Sequence, residues 1–116
     1  MFNVKIIGGD QSSGTSGAGT SVLVAQTAQL YGIYAFNSAA STDYYLQVFD
    51  SATVPADGAT PLMVFSLPHN QSLSQQFNDS YTFKNGIYVC ASTTAKTKTL
   101  AVANDVFIQL SYRLMT

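Results

Sequence analysis

The sequence predicts an all-β protein built as a single antiparallel β-sandwich, of jelly-roll or immunoglobulin-like type. Three observations predict it. Apolar and polar residues alternate in short runs with a period of two. Gly, Pro, Asn and Asp interrupt these runs roughly every eight to twelve residues, the spacing of turns in sandwiches. The chain also lacks the residues that exposed helices use on their solvent face: of its 116 residues none is Glu, and Lys and Arg together number five.

Phe2, Val4 and Ile6 alternate with Asn3 and Lys5, which reads as a short strand. Residues 8–20, GGDQSSGTSGAGT, have the composition of a flexible linker. Two readings stand side by side. The segment is a long loop, or it is a hinge that carries residues 1–7 to another subunit, because an apolar strand beyond a linker needs a surface to pair with. The organisation is then an N-terminal arm and linker over residues 1–20 and a sandwich domain over residues 21–116.

Ser21–Ala28 and Leu30–Asn37 are the next strands, and the small polar break Ser38–Thr42 leads into Tyr44–Phe49. Within that last run Tyr44, Leu46 and Val48 form the core face, leaving Tyr45, Gln47 and Phe49 outside. Tyr45 and Phe49 are expected to pair on the outer face against an adjoining sheet, loop or subunit. Asp50–Pro61 is a loop punctuated by Pro55, Asp57-Gly58 and Pro61. Leu62–Leu67 is a strand. Residues 69–78 are polar and Gln-rich, which suggests a surface connection with room for a short turn of helix. Asn85-Gly86 signals a tight turn before the strand Ile87–Thr93. The clearest strand is the last: Val106, Ile108, Leu110, Tyr112 and Leu114 alternate with Phe107, Gln109, Ser111 and Arg113. Phe107 is the large apolar residue on its outer side. About seven to nine strands result.

Charged residues make up 9% of the chain, against roughly 25% in ordinary soluble domains. Ser and Thr supply roughly a fifth. A surface of hydroxyls and amides suits contact with another protein, or an extracellular or virion exterior. The net charge of −1 and the scatter of the basic residues argue against a nucleic-acid partner. Lys96 and Lys98, in AKTKT, read as the polar face or tip of a hairpin. Cys90 is the single cysteine, so no intrachain disulfide is expected. Its place within Ile87–Ala91 reads as a small strand residue, not a reactive thiol. The first residues lack the apolar core of a secretory signal, and no apolar run reaches membrane-helix length. Synthesis and folding in a reducing cytoplasm are expected.

No catalytic constellation is legible. A Ser-His-Asp hydrolase needs a positioned imidazole, and His69, the sole histidine, lies in LPHNQ just after a strand and reads as an exposed loop residue. One His and one Cys do not make a structural zinc site. The six acids are all Asp in turn-like contexts; Asp10, Asp50 and Asp57 lack calcium-loop spacing. Residues 8–19 lack the lysine and spacing of a phosphate loop. No cofactor is expected, and no enzyme.

Four features of the sequence go together. An aromatic strand ends in N-S-A-A (Tyr34–Ala40). A strand of the form Y-L-Q-hydrophobic-F-D follows (Tyr45–Asp50). A loop A-x-x-P-x-x-G-x-x-P comes next (Ala52–Pro61). Then F-x-N-G-I-x-V-x-x-S-T-T (Phe83–Thr94) leads to the alternating strand Asp105–Arg113. With these features the chain resembles a family of small β-sandwich proteins encoded among the virion genes of tailed bacteriophages. The resemblance covers most of the chain after Leu30 and not residues 1–20. It implies a non-enzymatic structural protein of the virion, made in the host bacterial cytoplasm. The leading form is a capsid decoration or head-fibre protein bound to a major capsid protein or another virion protein. The alternatives are a tail or fibre component, or a glycan- or receptor-binding module. A homo-oligomer, a trimer in the first instance, suits a decoration protein at a three-fold point of a shell. The interface residues expected from the residue pattern are Phe2, Val4, Ile6, Tyr45, Phe49 and Phe107.

Overall fold

The structure, a computed structural model, describes residues 3–7 (backbone only), 21–101 and 105–115. Its described residues form eight strands and no helix: β1 (Asn3–Ile7), β2 (Ser21–Val24), β3 (Ala28–Asn37), β4 (Tyr44–Asp50), β5 (Met63–Leu67), β6 (Gln71–Phe83), β7 (Ile87–Ser92) and β8 (Val106–Leu114). They make two four-stranded antiparallel sheets, in the orders β1-β8-β3-β6 and β2-β7-β4-β5. The first strand pairs with the last, the second with the seventh, the third with the sixth and the fourth with the fifth.

Period-two alternation explains the core. Leu30, Ile33, Ala35, Ile108 and Leu110 from the first sheet meet Val22, Leu46, Val48, Ile87 and Val89 from the second in one buried cluster. Each large aliphatic side chain buried there contributes about 1.5–3 kcal/mol. Tyr44, Leu46 and Val48 face this core as the alternation predicted.

The structure departs from the sequence expectation at residues 71–78. They belong to a 13-residue strand, not to a connection with a helical turn. β6 lies at a sheet edge and turns its outer side to solvent, so over residues 71–78 its apolar residues against the core are only Leu73 and Phe77, and Phe83 at its end is the one fully buried. A register shift between Leu30 and Gly32 further breaks its period: the pairing passes from Tyr81 to Gln76, five residues of β6, across two residues of β3. Ser80 takes the excess chain with φ of 63°. Residues 3–7, whose partner the sequence left open, add to the edge of β8 in the same chain. The linker over residues 8–20 and Phe2 lie outside the described residues.

Candidate binding surfaces

The second sheet has an outer face that the chain covers itself. Phe49, Tyr88 and Cys90 are buried there, with Leu23, Val54, Ala59 and Leu100 packed against them. The cover is a strap, residues 51–62, held by the β7–β8 connection. Ala59 N–H donates to the Ala56 carbonyl at 3.1 Å, with Gly58 at φ 95° in the third turn position, as a type II turn requires. Gly58 N–H donates to the Lys98 carbonyl at 2.7 Å, and Lys98 N–H returns a bond to the Ala59 carbonyl at 2.8 Å. The Lys98 side chain is 3% exposed, so it is not at a solvated hairpin tip. Its ammonium donates to the Pro55 carbonyl at 2.6 Å, lies 3.5 Å from an Asp57 carboxylate oxygen and sits 5.4 Å from the Tyr88 ring centroid. A carbonyl, a carboxylate and a ring face together offset the desolvation of this cation. Burial pushes the Cys90 thiol up to about 12, the behaviour of an inert strand residue.

Two carboxylates tie loops together. Asp50 ends β4 and caps the β6–β7 turn: its oxygens accept from Lys84 N–H at 3.3 Å, Asn85 N–H at 2.9 Å and Gly86 N–H at 3.4 Å. Replacing Asp50 with Ala orphans these donors and is expected to destabilise the fold by about 1–3 kcal/mol in urea titration. Asp50→Asn, which keeps one acceptor oxygen, is expected to lose less; equal losses would remove the capping role. Asp43 accepts from the His69 backbone N–H at 2.9 Å and lies 2.6 Å from its ring Nδ1. The backbone bond, then the ring, holds the Asp43 carboxyl below the usual carboxylate range. This pair pins the β5–β6 turn, where Asn70 has φ of 55°, to the β3–β4 loop. Among the described residues no three of His, Cys, Asp and Glu come together.

Among the described residues, two surfaces with exposed apolar side chains bear on binding. One is β5, an edge strand that pairs with β4 alone among the described residues. Leu62, just before it, and Val64, within it, are 46% and 40% exposed. No charged residue occurs from Gly58 to Pro68. The other is the outer face of the first sheet. Phe107 is half-buried there and meets the Tyr34 ring edge-on, at 6.4 Å between centroids and 65° between planes. Phe36 stands directly opposite Phe107. Toward the other end of the face, Gly32, Ile33, Tyr34, Gln76, Gln109 and Ser111 line a notch of about 80 Å³ across three strands.

The residues expected at an interface divide between these faces. Register sets Val4 opposite Ser111 and Ile6 opposite Gln109, in the same rows of β8 as the outward side that carries Phe107. Tyr45 is half-buried on the second sheet, opposite Ser66 and Ser92. Phe49 does not pair with Tyr45. It is buried against Tyr88, at 5.8 Å between centroids, because the strap from its own chain covers it. Tyr34, Phe36, Leu62 and Val64 were not anticipated. The Tyr34-x-Phe36 alternation and the charge-free window from Gly58 to Pro68 were the signals available. No protein-family model, curated protein or solved structure matches the chain.

Proposed function

We propose that the protein is a non-enzymatic structural component of a bacteriophage virion, a jelly-roll module that docks on a capsid protein or another virion protein along β5. The nested pairing, first strand with last and inward to the fourth with the fifth, supports the jelly-roll form. It is the pattern of one long antiparallel hairpin rolled on itself, and an immunoglobulin-like sandwich does not pair its strands this way. Viral capsid domains and lectins both use that architecture, so the partner must be argued from the surface.

The β5 edge carries the docking reading. Edge strands are ordinarily blunted by charge, by Pro within the strand or by a bulge. β5, with the sequence MVFSL, has none of these; its own Val64 is exposed, and so is Leu62 just before it. A partner strand placed beside it would complete the ladder and cover both side chains. Val64→Lys sets a charge on that edge without touching the core. The variant is expected to fold with the wild-type melting temperature and to fall about tenfold in occupancy on purified particles. A Ser74→Lys control on the polar edge β6 is expected to incorporate normally. Equal occupancy of Val64→Lys and wild type, or absence of the wild-type protein from purified virions, would reject the reading.

A further inference from the structure

The outer face of the first sheet has a feature that protein docking at β5 does not use. At the notch, β3 presents Gly32, which has no side chain, between β6 and β8. A Cβ at that position would stand 3.2 Å from the Gln76 amide nitrogen and 3.4 Å from the Gln75 carbonyl oxygen, so the glycine itself keeps the floor low. One wall is the Tyr34 ring, 39% exposed. The others are Gln76, Gln109 and Ser111. The Gln76 and Gln109 amides and the Ser111 hydroxyl make no side-chain hydrogen bond to another described residue. Among the described residues no charged one lines the notch; Arg113 lies in the next outward row, beside a separate hollow with Gln29, Leu114 and Met115.

We infer that this notch is a subsite for a neutral saccharide, one pyranose ring stacked on Tyr34 with its hydroxyls bonded to Gln76, Gln109 and Ser111. Each part of the chemistry points the same way. Two free amides and a hydroxyl offer donors and acceptors in mixed order, which match vicinal hydroxyls. Covering them with an apolar protein surface would leave each group unsatisfied, whereas a polyol bonds them. The exposed ring supplies a flat apolar surface for the C–H face of a sugar, with a polar hydroxyl at its rim. An anionic ligand would need a cation in the lining, and the described residues supply none.

The test uses the full chain against a printed panel of neutral and sialylated oligosaccharides, followed by NMR titration with free glucose, galactose and N-acetylglucosamine at millimolar concentration. Binding to neutral members is expected, with amide shifts centred on Gly32, Tyr34, Gln76, Gln109 and Ser111. Tyr34→Ala is expected to weaken binding about tenfold, while Tyr34→Phe stays within about threefold. Gly32→Ala, whose new methyl meets a movable side-chain amide, is expected to fold and to weaken binding by raising the floor. No binding at millimolar sugar, binding to sialylated members only, or shifts centred elsewhere would overturn the assignment. The wild-type shift map decides even where a variant fails to fold. Loss of particle occupancy in Tyr34→Ala without any sugar binding would also overturn it, and would mark this face as a protein interface instead.

Discussion

Gly86→Ala is expected to be the most damaging single methyl that can be added to this protein. A Cβ on Gly86 would lie 2.5 Å from the Val24 carbonyl oxygen, 2.7 Å from that of Ser51 and 3.1 Å from the Ala52 Cα. All three are backbone atoms, and they belong to two separate segments, the end of β2 and the start of the strap. No rotamer change relieves the clash. Gly86 also accepts from Ser51 N–H at 3.0 Å and donates weakly to Asp50, so moving it breaks the cap that orders the turn. Overpacking against movable side chains costs about 1–3 kcal/mol; against fixed backbone the expected loss is about 3 kcal/mol or more. That is a large part of the roughly 5–15 kcal/mol that holds a domain together. A fall of about 10–20 °C in melting temperature should follow. The other glycines set the scale. Gly58→Ala has open space but a φ of 95°, and is expected to cost about 1 kcal/mol. Gly32→Ala, which meets a flexible glutamine, should cost less. If Gly86→Ala melts with Gly32→Ala, the close approach of β2, the strap and the β6–β7 turn is wrong.

The same residue shows what a sequence tells and what it hides. Asn85-Gly86 announces a turn, and a turn is there, but not for the reason that makes Asn-Gly a hairpin signal. Gly86 has no positive φ; it is needed because two other segments pass within van der Waals reach. Local rules read local conformation, and a steric demand from distant chain leaves no local mark. β8 was legible to the residue because each of its inward positions is apolar and both its neighbours are strands. β6 was not, because an edge strand with a bulge and a solvated face needs few apolar residues to hold its place. Phe49 was correctly placed on an outer face, yet its cover comes from the strap, and the lock of that strap is Lys98, a residue whose charge and Thr neighbours suggested solvent. The open surfaces were legible as an absence of charge from Gly58 to Pro68 and as the Tyr34-x-Phe36 alternation. Which of the uncharged residues stand exposed together follows from register, and register became visible only with the pairing of β3 to β6 and β8.

Gln47→Leu should show how that strap is kept shut. Gln47 sits on the outer side of β4 and is fully buried. Its Nε2 lies 2.8 Å from the Thr94 carbonyl, 3.1 Å from that of Ala95 and 3.0 Å from that of Thr97. An amide nitrogen has two hydrogens to give, so it serves two of these acceptors at a time. The carbonyls belong to the tight loop that also carries Lys98, whose ammonium and backbone clasp the strap. Leucine fills the same volume and donates nothing. The Thr94 and Thr97 carbonyls keep hydroxyl donors, Ser92 Oγ at 2.9 Å and Thr94 Oγ1 at 2.6 Å, so losing the amide's bonds is expected to cost about 1–3 kcal/mol. The loss should be local as well as global. With the loop loosened, Lys98 releases the strap and Cys90 becomes accessible, so a thiol reagent should label Gln47→Leu many times faster than wild type under conditions where both are folded. Gln47→Glu adds a sign to the test. Its carboxylate would face carbonyl oxygens in a buried site, which raises the folded-state pKa above the ordinary value of about 4.3. The unfolded chain then gives up its proton first, and the stability of the variant falls as pH rises from that value to the raised one. Relative to wild type, Gln47→Glu should therefore be least damaged in acid and most damaged at neutral pH. A pH-independent deficit, or unchanged labelling of Cys90 in Gln47→Leu, would show that the amide does not hold the loop.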